Sequence, residues 1–204
     1  MNTEQPLDDQ CQRGDTLPER HVAQISLEIP AEKYLYSFFE AMAEFQGEGN
    51  PQISKNMTEE QFPAYVQKLH DQSVGKNLRE GHVPSKEFWI IDADGFAGRI
   101  ILGLSFTPGP DRLGHHVGYA VRPSKRRKGY ATKALEFLLD EARKLKIYKL
   151  MPTCGSTNVA SRKVIESNGG VLLNSTPNDY ALNEELRFII DLEPSPPYSF
   201  FANP

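Results

Sequence analysis

The segment from Val121 to Ala131, VRPSKRRKGYA, constrains this chain most, because an apolar strand ends in it and a long helix begins in it. Upstream, Val117, Tyr119 and Val121 alternate as a strand does, while Gly118 and Ala120 leave the opposite face small. Pro123 has no N–H to offer a ladder and stops it. Downstream, Ala134, Leu135, Leu138, Ala142 and Leu145 repeat at the three-and-four spacing of a helix with one buried stripe. Arg143, Lys144 and Lys146 then put positive charge at the negative end of the helix dipole.

Between strand and helix lies Arg126-Arg127-Lys128-Gly129-Tyr130-Ala131. Gly129 and Ala131 keep bulk away from a helix start whose first N–H groups have no intrahelical partner, so an anion is the natural ligand. Hydrogen bonds to a charged group contribute roughly 1.5 to 3 kcal/mol each, against about 0 to 1 for an exposed Arg or Lys contact. Gly129 therefore weighs more than Lys128. The charges alone would also fit a solvated basic turn before an ordinary amphipathic helix. The small-sided strand, the glycine, the small residue two later and the immediate helix favour the anion site. Lys128 precedes Gly129 and no Gly-Lys-Ser/Thr follows, which excludes a Walker loop, and the Gly-x-Gly-x-x-Gly dinucleotide fingerprint is absent here.

These residues resemble motif A of the GNAT superfamily of acetyl-CoA-dependent N-acetyltransferases: Arg or Gln, two residues, Gly, one residue, then Gly or Ala. Arg126, Gly129 and Ala131 occupy those positions. A second block, NVASRKVIESNGG from Asn158 to Gly170, is similar to the helix after the fifth strand of the same superfamily, with Asn158 and Ser161 at the positions that approach the pantetheine and phosphates. Read without the resemblance, Asn158 is equally a good N-cap and Asn168-Gly169 a left-handed helix stop. With HHVGYAVRPS ahead of motif A, the likeness is to a bacterial subgroup of GNAT acetyltransferases with unassigned substrate, and it covers roughly residues 86–192.

The resemblance implies an α/β fold: a single GNAT-like domain whose mixed, mostly antiparallel central sheet has flanking helices and a splayed strand pair for the cofactor. It implies acetyl-CoA as donor, and an amine-bearing small molecule or protein as acceptor. The implied cofactor contacts are Tyr119 and Val121 through their main chain, Arg126, Arg127, Lys128, Gly129, Tyr130, Ala131 and Thr132 around the diphosphate, and Asn158 and Ser161 on the second helix. The Val121 N–H is expected near the acetyl carbonyl.

Direct transfer needs a neutral amine, and a lysine-like amine is neutral at pH 7 in only roughly one part in a few thousand, a cost of about 4 to 5 kcal/mol without help. Neighbours on a strand face opposite ways, so one of His115 and His116 at the head of the fourth strand can face the cleft; His116 is the candidate base, and a surface histidine is the competing reading. Glu40 and Glu44 are weaker candidates. Many GNAT enzymes carry a general-acid Tyr seven residues past the second-block Asn, where this chain has Ile165. Ser156, Tyr119 or water could replace it. A CoA-binding regulatory module without turnover is the alternative reading.

The rest of the chain fits one such domain. Its 204 residues, 39% hydrophobic and 25% charged, suit one packed core. Residues 1–20 read as a flexible polar segment, 21–192 as the acetyltransferase domain and 193–204 as a Pro-rich tail. A net charge of −4 opposes nucleic-acid binding despite the local basic run. Cys11 and Cys154 suit neither a disulfide framework nor a metal site, and neither a leader segment nor a membrane-length apolar run is visible, so the expectation is a cytoplasmic protein, monomer or homodimer, with no metal.

Patterning predicts a first strand in HVAQISLEIP, a helix over Ala31 to Phe45 and a second helix capped by Thr58 and Gln61, with Pro63 blurring its start. It also predicts a hairpin of EFWIID and GRIILGLSF about DADG, an irregular TPGPDRLG connection, and a single fifth strand in IYKLMPTCG. GVLLN and LRFIIDL would be the closing strands.

Overall fold

One sheet with a different helical layer on each face organises the molecule. The computed structural model describes residues 24–48, 57–105, 117–176 and 184–192. In chain order the elements are β1 (Ser26–Glu28), α1 (Leu35–Gly47), α2 (Phe62–Ser73), β2 (Ser85–Asp92), β3 (Gly95–Gly103), β4 (Val117–Val121), α3 (Tyr130–Lys144), β5 (Lys149–Leu150), β6 (Thr153–Gly155), α4 (Val159–Ser167), β7 (Val171–Thr176) and β8 (Glu185–Asp191). Segments 1–20 and 193–204, the 107–114 connection, Cys11 and both His115 and His116 lie outside the described residues.

The first sheet runs β1-β2-β3-β4, antiparallel throughout. Strand alternation sends Trp89, Ile91 and Phe96 toward α1 and α2, where they pack on Phe38, Phe45, Phe62 and Val66. It sends Phe88, Ile90, Ile100, Val117 and Val121 the other way, onto Ala134, Leu135 and Leu138 of α3. Leu150, Ile190 and Leu192 of the second sheet join that same core. The α3 stripe therefore spans both sheets, while β4 pairs with β3 alone and the second sheet, β8 with β5 and β6 along one edge and β7 on the other, starts separately. The edge of β4 away from β3 is thus left without a strand partner among the described residues, as the expected fold requires.

Two sequence expectations are corrected. IYKLMPTCG forms two short strands, β5 and β6, because Pro152 lacks the N–H that would continue the ladder; its carbonyl still accepts the Phe188 N–H at 3.0 Å, and both pieces keep β8 as partner. The first helix opens with a 3-10 turn at Glu32–Tyr34 and turns α-helical at Leu35, four residues later than periodicity placed it. The second helix begins at Phe62 with Pro63 in its first turn, where a missing N–H costs nothing, and the Thr58 N–H donates to Gln61 Oε1 at 3.1 Å as the capping pattern implies. Asn168-Gly169 ends α4 as read, with Gly169 at φ 83°.

One irregularity in β3 shapes the site. Ile90 pairs with Gly98 but Ile91 with Phe96, so Ala97 is an extra residue, a bulge that aims its carbonyl at the Arg122 N–H, 2.8 Å away. Gly98 is at φ 157°, and a Cβ there would lie 2.4 Å from the Ala120 carbonyl oxygen. Backbone cannot yield as a flexible side chain can. Gly98→Ala is expected to destabilise the fold by about 1 to 3 kcal/mol, read from urea midpoints; a change within about 0.3 kcal/mol would show that the close approach is not real.

Candidate functional site

Ladder alternation decides which amides β4 offers. Because the Arg122 N–H donates to Ala97 across the β3–β4 pairing, the opposed pairs Val121–Gly98 and Tyr119–Ile100 are the non-hydrogen-bonded ones, and the amides of Val121 and Tyr119 point away from β3 into the open edge. The Val121 carbonyl, on that same edge, accepts Arg126 Nε at 2.9 Å.

The chain past β4 makes a 3-10 turn at Pro123–Lys125 and then reverses through two left-handed residues, Arg127 at φ 58° and Gly129 at φ 81°, before α3 begins. Among the described residues, no acceptor is found for the amides of Lys128, Gly129, Tyr130, Ala131 and Thr132; the first amide after them, Lys133, donates to the Gly129 carbonyl at 3.0 Å. A Cβ on Gly129 would meet no atom within 4 Å. Five donors without an acceptor among the described residues thus gather at the positive end of a 15-residue helix, with open space beside Gly129.

Four of the five basic side chains of this segment are tied to partners, although Arg126, Arg127 and Lys128 are exposed. Arg122 Nε donates to Glu44 Oε1 at 2.7 Å and its Nη2 to Glu40 Oε2 at 3.2 Å. Lys125 Nζ lies 2.7 Å from Asp92 and 2.5 Å from Asp94. Arg126 forms a two-pronged pair with Glu48, both contacts at 2.8 Å, beside the Phe45 ring. Lys128 Nζ donates to the Ser124 carbonyl at 3.0 Å. The run is a tethered loop that still presents its backbone amides and the exposed Arg127 side chain.

Tyr130 closes the arrangement. Its ring is buried and its hydroxyl donates to Asp92 Oδ2 at 2.6 Å, pinning the start of α3 to the end of β2. Burial, with the Asp92 carboxylate, pushes the Tyr130 hydroxyl up to about 12. Burial alone would raise Asp92, but Lys125, Tyr130 and the Asp94 N–H outweigh it and hold the carboxyl below its usual range. In Glu44, burial is likewise outweighed by the Ser124 N–H and Arg122, and the pKa is lowered. With both oxygens engaged by donors and a lowered pKa, Glu44 is ill suited to act as a base; Glu40 is exposed and joined to Arg122.

The facing wall is α4. Asn158 caps it, its Oδ1 accepting the Ser161 N–H at 3.0 Å, so that side chain is committed to the helix. The Tyr119 hydroxyl donates to the Ser161 carbonyl at 3.2 Å, a strut from β4 to α4, and burial pushes that hydroxyl up to about 12, so it stays protonated at neutral pH. Asn168 Nδ2 donates to the Thr132 carbonyl at 3.2 Å, joining the end of α4 to the first turn of α3. Ile165 is fully buried against Cys154, Leu186 and Phe188.

Sequence reasoning missed one group. Glu87 is, among the described residues, the one charged residue buried as a whole; it accepts Trp89 Nε1 at 3.0 Å and lies 3.7 Å from Arg99, and burial raises its pKa. A Glu two residues before a Trp on a strand, hence on the same face, was the available signal.

A folded-state pKa below the unfolded one makes the Asp92 contribution complete above the unfolded value and lost as pH falls through the folded one. Asp92→Asn is expected to cost about 1 to 2 kcal/mol at pH 7, and the gap to the parent should shrink below about pH 4, as urea midpoints between pH 7 and 2.5 would report. A gap independent of pH would remove the ionised carboxylate from the account.

The fold is shared with known proteins. Residues 32–171 match the family model described as the acetyltransferase (GNAT) domain. No curated protein matches the chain. Among solved structures, Mycobacterium smegmatis RimJ in complex with CoA-disulfide superposes with a TM-score of 0.63 at 19% identity, covering 84% of each chain. The microcin C7 self-immunity acetyltransferase MccE, in complex with acetyl-CoA and AMP, gives 0.61 at 14% identity over 82% of this chain and 92% of that one. The Salmonella typhimurium acetyltransferase that modifies the N-terminal serine of ribosomal protein L7/L12 gives 0.60 at 14%, over 83% and 95%. Among the described residues no helix is long and apolar enough to cross a membrane.

Proposed function

The chain belongs to the GNAT acetyltransferase family, whose acyl donor is acetyl-CoA, and from that premise we propose that it acetylates a primary amine carried by a small molecule or a protein. The observation that carries the reading is the row of acceptorless amides from Lys128 to Thr132 over the open space at Gly129, a fit to a diphosphate. Donor-site residues are proposed as follows: these amides with Ala131 in the first turn for the diphosphate, Arg127 and Lys128 as flanking charge, the outward amides of Tyr119 and Val121 for the pantetheine, and the α4 start at Asn158 and Ser161 on the far wall. Arg126 serves by shaping the loop through its bond to the Val121 carbonyl.

Acetyl-CoA supplies the thioester whose carbonyl carbon takes the amine. The protein must bring that amine in neutral form, and His116, which precedes β4 in the sequence, is the proposed base, imidazole being the side chain suited to taking a proton near neutral pH. One observation favours a second reading, a CoA-binding regulatory module: Ile165 is core where many relatives carry a protonating tyrosine.

A thiol-release screen separates the two. With acetyl-CoA and a panel of amino acids, polyamines, aminoglycosides and peptides with free N-termini, at least one acceptor is expected to release free CoA; CoA affinity with no release across the panel would favour the module. Gly129→Glu is expected to weaken CoA binding at least about 100-fold in calorimetry by placing bulk and charge at the amides, whereas Gly129→Ala, with the same left-handed backbone strain, should lose about tenfold or less. Equal affinity in Gly129→Glu and parent would refute the assignment. His116→Ala should lower kcat at least about tenfold at pH 7 with CoA affinity unchanged, and an unaltered pH–rate profile would exclude it as base.

A further inference from the structure

Glu40 and Glu44 on α1 and Glu48 at its C-cap stand one every four residues, and the segment leaving β4 answers them in order with Arg122, Ser124 and Arg126. Only the middle carboxylate binds the main chain of that segment. Glu44 Oε2 accepts the Ser124 N–H at 2.9 Å, and its Oε1 accepts Ser124 Oγ at 3.0 Å and Arg122 Nε at 2.7 Å. Three donors on two residues meet one partly buried carboxylate, and both residues belong to the entry of the turn that ends at Gly129.

We propose that Glu44 is a positioning residue for the donor site: from α1 it fixes the turn at Pro123–Lys125 and so aligns the amides of Lys128 to Thr132. The inference rests on the donor-site reading above and adds to it a distant residue that touches no part of the ligand. Its physical basis is the shape of the loop. The segment has one end tied by the Arg122 N–H to Ala97 and the other by the Tyr130 hydroxyl to Asp92, and between them the chain passes through two left-handed residues. Five amides grip one diphosphate only if they converge, and a loop whose entry at Arg122 and Ser124 is released, held only further on by Lys125 and Arg126, would spend more of its time with them dispersed. That fraction raises the apparent dissociation constant in proportion. Charge-assisted bonds hold such a loop more strongly than neutral ones, and Glu44 makes one to Arg122 and one to a backbone N–H.

The test titrates the full chain with coenzyme A by calorimetry, well below its melting temperature, beside thermal melts with and without CoA. Glu44→Ala is expected to raise the CoA Kd about ten- to thirtyfold and to shrink the CoA-induced rise in melting temperature, while Asp140→Ala, which breaks an exposed ion pair with Arg143 on the far end of α3, stays within about twofold. Glu44→Gln keeps an acceptor for the Ser124 N–H but not the charge opposite Arg122, and should fall between, at about three- to tenfold. If Glu44→Ala fails to fold, Glu44→Gln carries the test. A purely structural residue would lower the melting temperature and leave Kd unchanged in the folded variant. That result, with the parent binding CoA, would overturn the positioning role alone; a parent that does not bind CoA would take down the donor-site reading with it.

Discussion

Five backbone amides at the mouth of α3, without acceptors among the described residues, are the constraint on which the surrounding contacts converge. Donors in this state are stable only where water or an anion reaches them, and they bind an anion well only where the chain holds them still. Nearly every polar contact around them does the holding. Lys125 and Tyr130 converge on Asp92, Arg122 and Ser124 on Glu44, and Arg126 on Glu48 and the Val121 carbonyl. Much of the positive charge that in the bare sequence looks like an electrostatic lure is engaged in holding the loop, while Arg127 stays exposed beside the backbone amides.

The same economy appears on β4. A bulge at Ala97 and the absent side chain of Gly98 let β3 close tightly on the end of β4, and this fixes which of its amides face the open edge. The core under α3 takes residues from both sheets, so the two can stand apart at β4 without separating altogether. The Tyr119 hydroxyl on the Ser161 carbonyl sets the spacing between β4 and α4. The edge of β4 away from β3 stays open among the described residues, with the hydrophobic core supplying the cohesion that hydrogen bonds there do not.

What could be read from the sequence was local. The Asn158 cap, the Gly169 stop, the Thr58–Gln61 pair and the Gly129 turn all depend on residues within a few positions of one another, and each lies where its spacing placed it. The break at Pro152 was equally local and overlooked; a proline inside an apolar run marks an interrupted ladder. The ion pairs from α1 to the loop were not legible, because Glu44 and Arg122 are 78 positions apart and nothing in either segment names the other. Glu40 and Glu44 drew notice as possible bases; the fold gives them to arginine. On the amine side the sequence offers only residue chemistry, a histidine ahead of β4 that could take a proton.

The central claim concerns particular N–H groups, and they can be watched directly. Nitrogen-15 spectra of the full chain recorded during a titration with coenzyme A should show the largest shifts at the amides of Lys128 to Thr132, with a second set at Tyr119 and Val121. Saturable binding that leaves those seven resonances in place and moves others would contradict the account.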